Sequence, residues 1–124
     1  MRHFMLIPLQ DAIDEAIKSP CSFKHGCVFF TNNCVLSKGY NTVKTHAELA
    51  AAKKINTRRA CHVIVVRVSS TGKLGSSKPC KHCVELLKTM RVKNVYYSDS
   101  HGNLHCVRRT KLENDFVTHG WGKN

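Results

Sequence analysis

Residues 61–97 read CHVIVVRV-SSTGKLGSSKP-CKHCVELLKTMR-VKNVYY, and this stretch decides the fold class of the chain. Cys61–Val68 is a continuous run rich in β-branched residues, which is typical of a central strand buried on both faces of a sheet. After a Ser/Gly/Lys loop, residues 80–90 place their apolar side chains on one helical face. Residues 92–97 return to a strand pattern. The stretch therefore predicts a strand, a helix and a further strand of one sheet.

Near the start of the chain, apolar residues recur every three or four positions, as they do on one face of a helix. Ser19-Pro20 ends this segment, because the residue before a proline avoids the helical conformation. The sequence therefore predicts an amphipathic helix with an apolar face of Leu9, Ala12, Ile13, Ala16 and Ile17, and a polar face of Asp11, Asp14, Glu15 and Lys18.

A β-hairpin and a second helix are predicted next. Residues 27–31 form a short run of β-formers, and Asn32-Asn33 then tolerates the left-handed conformations of a tight hairpin. Residues 34–36 continue as the return strand, which we expect Gly39 to stop. A strongly helix-favouring stretch then runs from residue 47 to about residue 55.

A fifth strand is predicted at residues 104–108, after a turn at residues 99–103. This turn is too short for a parallel crossover, so we expect the last two strands to be antiparallel. Residues 110–124 are weakly patterned. The order αββαβαββ predicts an α/β fold with a single mixed five-stranded sheet flanked by helices, and residues 1–124 are predicted to form one domain.

The charge of the chain is its unusual bulk property. Twenty Lys and Arg residues against eight Asp and Glu residues give a formal net charge of +12 over 124 residues. Such a charge favours anionic partners, namely phosphates, nucleic acid or an acidic membrane face. We expect single-stranded nucleic acid rather than a membrane, because no basic amphipathic helix stands out. The alternative is a basic protein with a well-solvated surface.

Seven cysteines without a secretory signal predict an intracellular protein, cytoplasmic or nuclear and not secreted. The odd number argues against a disulfide framework, and the apolar run at residues 4–9 is too short to span a bilayer. In a reducing compartment a close cysteine pair indicates a metal or redox site. The cysteines outside that pair are interpreted as small core residues, and they are Cys21, Cys27, Cys34, Cys61 and Cys106.

Two short motifs at predicted helix starts carry the chemistry, Thr45-His46-Ala47-Glu48 and Pro79-Cys80-Lys81-His82-Cys83. The first helical turn brings two cysteines separated by two residues to one point, and the helix dipole favours thiolate there. Zinc takes such ligands in a tetrahedron, and His46, Cys80 and Cys83 supply three of them. The fourth position remains for water, which is typical of a catalytic site. Glu48 is then free to transfer protons beside that water.

Each motif also has a plainer interpretation. A single CxxC is also compatible with a thiol redox pair or with chance. Thr45-x-x-Glu48 is also a capping box, in which Glu48 only accepts the amide hydrogen of Thr45. His82 is interpreted as a helix-surface residue, because a fourth protein ligand would close the metal site. The joint occurrence of both motifs favours catalysis.

The pattern His-x-Glu followed by Pro-Cys-x-x-Cys is the described signature of zinc nucleobase deaminases. Over residues 19–97 the chain resembles the cytidine and deoxycytidylate deaminase superfamily, with His46, Glu48, Cys80 and Cys83 at the signature positions. The resemblance implies hydrolytic deamination, with cytosine to uracil in a nucleoside or nucleotide as the main expectation. Zinc would lower the pKa of a bound water toward about 7, and the hydroxide would attack C4 of cytosine or C6 of a purine.

The resemblance also implies roles for residues around the metal. Glu48 would take the proton of the water, protonate the ring nitrogen and later protonate the leaving ammonia. The backbone N–H of Ala47 would hold the base carbonyl, and the carbonyl of Lys78 would hold the leaving amino group. Asn41 would contact the sugar, and its alternative role is that of a turn residue.

Aromatic and histidine residues outside the motifs carry weaker signals. Tyr97 ends a strand beside the expected pocket and is the candidate for stacking on a base, with Tyr96 as the alternative. The remaining histidines have no partner in the sequence pattern and are interpreted as structural or exposed, namely His25, His62, His101, His105 and His119.

Two clues point to different branches of the superfamily. His46 matches the enzymes that act on deoxycytidylate, tRNA adenosine or polynucleotide cytosine, whereas free cytidine deaminases carry cysteine there. The short turn at residues 98–103 resembles the free cytidine branch instead. The size of the substrate therefore stays open. The resemblance also implies a homo-oligomer, because small enzymes of this superfamily often assemble.

Three functions compete at this point. The first is a deaminase of free cytosine nucleosides or nucleotides, and the second is a deaminase of cytosine or adenine in single-stranded DNA, RNA or tRNA. The third is a non-catalytic binding module that zinc only stabilises. The third is disfavoured, because Glu48 is present and a fourth metal ligand is missing from the motifs.

Overall fold

The computed structural model describes residues 6–32, 34–55 and 60–108 of the chain. The predicted turn residue Asn33 and the weakly patterned residues 110–124 lie outside this range. In chain order the elements are α1 (Leu6–Ile17), β1 (Lys24–Thr31), β2 (Cys34–Tyr40), α2 (Ala47–Ala52), β3 (Cys61–Val68), β4 (Leu74–Gly75), α3 (Lys81–Thr89), β5 (Val92–Ser98) and β6 (Leu104–Arg108).

One sheet with the strand order β2-β1-β3-β5-β6 organises the fold, and β4 pairs with the end of β3. β3 and β5 are parallel and are joined through α3, while the other neighbouring pairs are antiparallel. The prediction of a mixed sheet with antiparallel last strands is therefore confirmed. The two-residue β4 corrects the prediction of a loop at residues 69–78, because its pairing depends on a tertiary contact that a Ser/Gly/Lys run does not signal.

The two faces of the sheet carry separate cores, because neighbouring residues of a strand point to opposite sides. Val28 and Phe30 of β1 belong to the core under α1. Cys27 and Phe29 belong to the core under α2 and α3. β3 contributes to both cores and is buried along most of its length, which confirms the prediction of a central strand.

α1 turns a different face to the sheet than its apolar pattern predicts. Glu15 is buried and Ile17 is 59% exposed, so the assignment of both residues was wrong. An added Cβ at Gly26 would lie 2.0 Å from the Ala12 carbonyl oxygen, which shows that α1 rests directly on β1. Only small side chains fit such a contact, so Ala12 and Ala16 face inward and Ile17 is turned outward. The Glu15 carboxylate pairs with Lys18 at 2.6 Å.

Gly39 does not stop β2, which corrects the second local prediction. The strand continues to Tyr40, and an added Cβ at Gly39 would lie 2.6 Å from the Ala51 backbone nitrogen. α2 therefore also rests directly on the backbone of its strand, as α1 does on β1. α2 is also shorter than predicted, because it ends at Ala52 rather than near residue 55.

The exposure of the cysteines follows their position in the sheet. Cys27 and Cys61 are buried in central strands, as predicted. Cys34 and Cys106 are exposed, so their assignment to the core was wrong; they belong to β2 and β6, which are the edge strands. Cys21 is half-buried in the loop before β1. None of the helices in the described part of the chain is long and apolar enough to cross a membrane.

Candidate active site

The two motifs meet at the starts of α2 and α3. His46 is the N-cap residue of α2, Cys80 is the N-cap residue of α3, and Cys83 lies in the first turn of α3. His46 Nδ1 lies 3.3 Å from Cys83 Sγ and 3.3 Å from Cys80 Sγ. The three ligand atoms all lie within 4.8 Å of one another. The prediction that these side chains converge is therefore matched by the geometry.

This group of atoms fits a zinc ion. Zn–N bonds of about 2.0–2.1 Å and Zn–S bonds of about 2.3 Å place nitrogen and sulfur about 3.5 Å apart in a tetrahedron, close to the distances found here. Imidazole and two thiolates are also the donors that zinc prefers. Cys83 is buried, Cys80 is half-buried and His46 is exposed, so the group is open on the His46 side.

Both helices begin with a side chain that does not cap its own helix. His46 and Cys80 have the extended backbone of an N-cap residue, yet neither side chain makes a capping hydrogen bond. Ser, Thr, Asp and Asn are the residues that cap well. Neither position carries one of these capping residues. Instead, the two side chains approach each other, with His46 Nδ1 3.3 Å from Cys80 Sγ.

Glu48 is buried next to this group, with 5% of its surface exposed. The capping box proposed for it is not formed, because the N-cap residue of α2 is His46 rather than Thr45, and the Thr45 amide donates to the Thr42 carbonyl at 3.4 Å. Burial raises the pKa of Glu48, although a hydrogen bond from its own backbone N–H lowers it. A carboxyl group in this setting exchanges protons closer to neutral pH than an exposed one does.

The two thiols share their protons unequally. A hydrogen bond from Cys83 lowers the pKa of Cys80 to about 5, while that bond and burial raise the pKa of Cys83. The bond from Cys83 therefore favours the thiolate form of Cys80. Since zinc binds thiolates, metal uptake must displace the Cys83 proton, and affinity will rise with pH.

A cleft of about 840 Å³ opens beside the group. Its wall contains most of the predicted site residues, namely Asn41, His46, Ala47, Glu48, Lys78 and Cys80. Cys83 lies beneath the wall and reaches the group from the buried side. The predicted substrate contacts of Ala47 and Lys78 are thus at the cleft, and their roles stay predictions.

Asn41 binds the neighbouring loop with both ends of its amide group. Its Oδ1 accepts from the His25 backbone N–H at 2.8 Å, and its Nδ2 donates to the Phe23 carbonyl at 2.8 Å. Its own carbonyl accepts from the Ser19 hydroxyl at 2.8 Å. Asn41 therefore joins the loop before β1 to the end of β2, and in the described bonds its amide uses one N–H and one lone pair.

Tyr97 packs away from this cleft. Its ring lies against the core under α2 and α3 and stacks on His105, with the ring centroids 5.1 Å apart. Tyr97 is not among the described residues that line the cleft. Tyr96 packs on the opposite face of the sheet beside Phe30. Base stacking by Tyr97 stays a prediction.

Several cleft residues were missed in the sequence. Phe23 is 60% exposed on the rim, and the Arg67 guanidinium lies 4.2 Å from its ring centroid. His25 lines the cleft, and burial together with the Arg67 charge lowers its pKa to about 4. Phe23 directly precedes β1 and His25 lies within it, opposite Arg67 of β3, a relationship visible only once the sheet is known.

A buried pair of serines holds the segment that leads to Cys80. The Ser77 hydroxyl donates to the Val65 carbonyl at 2.6 Å and accepts from the Ser98 N–H at 2.9 Å. The Ser98 hydroxyl donates to the Gly75 carbonyl at 2.6 Å. These bonds join the loop after β4 to the ends of β3 and β5. They fix the backbone three residues before the first cysteine ligand.

Comparison with known proteins adds the family. The family model of the cytidine and deoxycytidylate deaminase zinc-binding region matches residues 4–99, which is well over half of the 124 residues. The matched range includes both motifs, and zinc is the metal of this region. A sequence search of curated proteins found no match.

Solved structures share the fold. A dCMP deaminase from the cyanophage S-TIM5 is 20% identical with a TM-score of 0.62, over 81% of this chain and 86% of that chain. Acinetobacter baumannii RibD is 21% identical with a TM-score of 0.60, over 75% of this chain and 27% of that one. The third structure is a diaminohydroxyphosphoribosylaminopyrimidine deaminase/5-amino-6-(5-phosphoribosylamino)uracil reductase from Thermotoga maritima. It is 17% identical with a TM-score of 0.58, over 98% of this chain and 42% of that chain. The match therefore spans about a quarter of RibD, and these low identities show the fold alone.

Proposed function

The chain belongs to the cytidine and deoxycytidylate deaminase zinc-binding family, and from this premise we propose that it hydrolyses the amino group of cytosine in a free nucleoside or nucleotide. One observation carries the proposal: three zinc-type ligands stand beside a buried carboxylate at the wall of a cleft. A structural zinc site is closed by a fourth protein ligand. Within residues 6–32, 34–55 and 60–108, the group of His46, Cys80 and Cys83 offers three protein ligands.

Glu48 is the proposed proton carrier. When bound, zinc supplies a water of lowered pKa for attack on C4 of the base. Glu48 accepts the proton of this water, delivers a proton to the ring nitrogen and then protonates the leaving group, so that cytosine and water give uracil and ammonia. The burial of Glu48 supports this role, because the raised pKa favours proton transfer in both directions near neutral pH.

Backbone groups at the cleft are proposed to orient the base. Ala47 is the first residue of α2, and the first N–H groups of a helix have no partner within it. The Ala47 N–H is therefore suited to hold the base carbonyl. Lys78 lines the cleft just before Pro79, and its carbonyl is proposed to accept from the amino group that leaves. The N–H and lone pair that Asn41 retains are proposed to contact the sugar.

The size and charge of the cleft support a free nucleotide or nucleoside. Its volume of about 840 Å³ falls in the range of sites that enclose one small molecule, roughly 300–1,000 Å³. Lys44 and Lys78 belong to its wall, whereas Glu48 is the acidic residue among its described lining. A phosphate on the sugar would be attracted to such a rim.

The test is ammonia release by the zinc-loaded protein. The substrates are cytidine, deoxycytidine, CMP, dCMP, adenosine, guanine and single-stranded DNA and RNA. Glu48→Gln preserves the shape of the side chain and is expected to keep zinc while turnover falls by about 10²–10⁴-fold. Glu85→Gln is the matched control, because Glu85 is exposed on α3 and should keep full activity.

The outcomes separate the competing functions. Turnover of a free cytosine compound that depends on Glu48 supports the proposal. Turnover of polynucleotide alone would replace it with the second candidate, a nucleic-acid deaminase. Zinc-loaded protein that is silent on every substrate would favour the non-catalytic binding module, and full activity in Glu48→Gln would refute the proposed proton transfer.

A further inference from the structure

A second groove, of about 740 Å³, lies at the opposite end of the sheet from the cleft. It is formed where α3 ends, where β5 begins and where β6 ends, and Arg91, Lys93 and Arg108 come from these three places. The described residues that line it are all different from those that line the cleft. The proposed deaminase reaction therefore leaves this groove without a role.

The groove is strongly cationic. Four of its nine described lining residues are Lys or Arg, namely Lys88, Arg91, Lys93 and Arg108, and none of those nine is acidic. With 20 basic residues among 124, one or two of nine would be basic if they were spread evenly. Within the described residues, the side chains of Arg91, Lys93 and Arg108 are exposed. Like charges gathered in this way repel one another unless an anion joins them.

The backbone under these side chains is held in place. The Arg91 carbonyl accepts from the Cys61 N–H at 2.9 Å, and this bond joins the connection between α3 and β5 to the start of β3. Arg108 pairs with Asn94 in the β5–β6 ladder, and Asn94 directly follows Lys93 in β5. Asn94 in turn bonds to His62 at 3.2 Å. A ligand would meet cations on a rigid frame, which reduces the entropic cost of binding.

The dipole of α3 accounts for only some of the four cations in the groove. Cations are favourable near a helix C-terminus, so the helix dipole explains Lys88 in the last turn and Arg91 shortly after it. Lys93 and Arg108 belong to strands and gain nothing from this dipole. The strand cations therefore need another reason to share the groove.

We propose that this groove binds the phosphate backbone of a single-stranded nucleic acid, without reading its sequence. A cationic groove that follows the backbone is the usual basis of such binding. The lining cations come from the end of α3, the start of β5 and the end of β6, so successive phosphates of one strand could each meet a cation. The net charge of +12 would bring the strand to the protein, and the groove would hold it.

The experiment compares two triple variants of equal charge. Arg91→Gln, Lys93→Gln and Arg108→Gln remove the groove cations, while Lys38→Gln, Lys53→Gln and Lys73→Gln remove three exposed cations elsewhere. The zinc-loaded full chain is titrated against fluorescein-labelled single-stranded 15-mers, by anisotropy, between 50 and 200 mM KCl. All substituted side chains are exposed, and circular dichroism checks the fold; Arg91→Gln alone is the milder second variant.

We expect the groove variant to bind at least about tenfold more weakly at 100 mM salt, and the control variant to change less than about twofold. The slope of log K against log salt should fall by about 2 in the groove variant, since each phosphate contact on a single strand contributes about 0.7. DNA and RNA of different sequence should bind similarly.

Three results would overturn the proposal. They are the absence of oligonucleotide binding, equal weakening in the two variants, and displacement of the oligonucleotide by a nucleoside triphosphate or inorganic triphosphate at equal phosphate concentration. The last would assign the groove to small phosphates instead. Ammonia release from cytidine or dCMP is measured on the same variants, so failure of this proposal is seen separately from failure of the proposed reaction.

Discussion

Each face of the sheet is covered by a helix that packs directly on a glycine of a strand, but the two helices have different roles. On one face α1 rests on Gly26, and its contact side holds Ala12 and Ala16 over a purely apolar core. On the other face α2 rests on Gly39, with Ala47 and Ala51 over the second core. Both helices approach a strand backbone so closely that a Cβ does not fit between them.

The difference lies in what each helix carries at its end. α2 begins with His46, and α3, on the same face, begins with Cys80. Close packing on this face therefore sets the distance between metal ligands, whereas close packing under α1 only adds stability. The comparison implies that equal packing defects on the two faces should have unequal effects on zinc.

Removal of a ligand on the α2 and α3 face should have the largest effect. Cys80→Ala leaves His46 and Cys83 as the zinc-type ligands of the group, and we expect bound zinc to fall from about one per chain to almost none. Turnover should fall with it. Metal analysis after dialysis measures the loss, and a fully active protein without metal would contradict the assignment.

Cys27→Ala is the matched control for this variant. Cys27 is a buried cysteine in the core on the same face, and it is not part of the ligand group. Its removal should cost some stability through the cavity that it leaves, at unchanged zinc content. Loss of zinc from both variants would mean that general destabilisation, not ligation, explains the first result.

Alanine at the two glycines tests the comparison directly. At Gly26 the new Cβ would meet backbone atoms of α1 at 2.0 and 2.6 Å, and at Gly39 it would meet the Ala51 nitrogen at 2.6 Å. Each helix must move, so each substitution should cost roughly 1–3 kcal/mol or more of unfolding free energy. Urea unfolding measures this cost.

Zinc affinity separates the two variants. Gly39→Ala displaces α2, so a chelator competition should show weaker zinc binding, by about tenfold or more. Gly26→Ala displaces α1 and should leave the affinity of the folded protein close to that of the parent. Equal affinity in both variants would break the distinction between the two faces.

The sequence could predict the parts of this molecule that depend on local pattern. The β-branched run of Cys61–Val68 identified the central strand, and the two motifs identified a ligand group whose atoms do lie together. These signals are local because periodicity and short spacing survive in any context. The family match and the fold of the solved structures agree with them.

The wrong predictions all depended on contacts between distant segments. Gly39 was read as a strand end because glycine weakens strands, whereas here it makes room for α2. Ile17 is exposed because α1 lies so close to β1 that its contact face holds the small residues Ala12 and Ala16, and this rotation of the helix leaves Glu15 buried. The sugar contact of Asn41 stays a prediction, whereas its bond to the His25 backbone could be found only in the folded chain.

Ser77 sharpens the comparison at one further position. Ser77→Ala removes the hydroxyl that joins the Val65 carbonyl to the Ser98 N–H, so a buried donor and a buried acceptor lose their partner. We expect a loss of about 1–3 kcal/mol of unfolding free energy. We also expect weaker zinc binding and a lower kcat, because the loop before Cys80 is then held at Ser77 by its backbone bond to the Ser98 carbonyl without the side-chain bonds.

Ser37→Ala is the control for Ser77→Ala. The buried Ser37 hydroxyl donates to the Ala51 carbonyl at 2.9 Å, at the end of α2 away from His46. Its loss should lower stability to a similar extent without changing zinc affinity or kcat. If the two serine variants behave alike in zinc binding, Ser77 has only a structural role.

The smallest expected effect concerns pH and His25. Burial, with the Arg67 charge, lowers the pKa of His25 to about 4 in the fold, against about 6.5 in the unfolded chain. Between pH 6.5 and 4 the unfolded chain therefore binds one more proton than the folded chain. The contribution of His25 to stability is fully present above pH 6.5 and is lost as the pH drops through this window, by about 2 kcal/mol at pH 5.

His25→Gln removes the imidazole that takes up this proton. The free energy of urea unfolding should therefore depend less on pH between pH 7 and 5 than it does in the parent. Protonation of the zinc ligands affects both proteins equally, so the difference between their slopes isolates His25. His101→Gln, at an exposed histidine in the turn before β6, should keep the slope of the parent. An unchanged slope in His25→Gln would show that His25 takes up its proton in the fold, and that the cleft keeps enough water to solvate the charged ring.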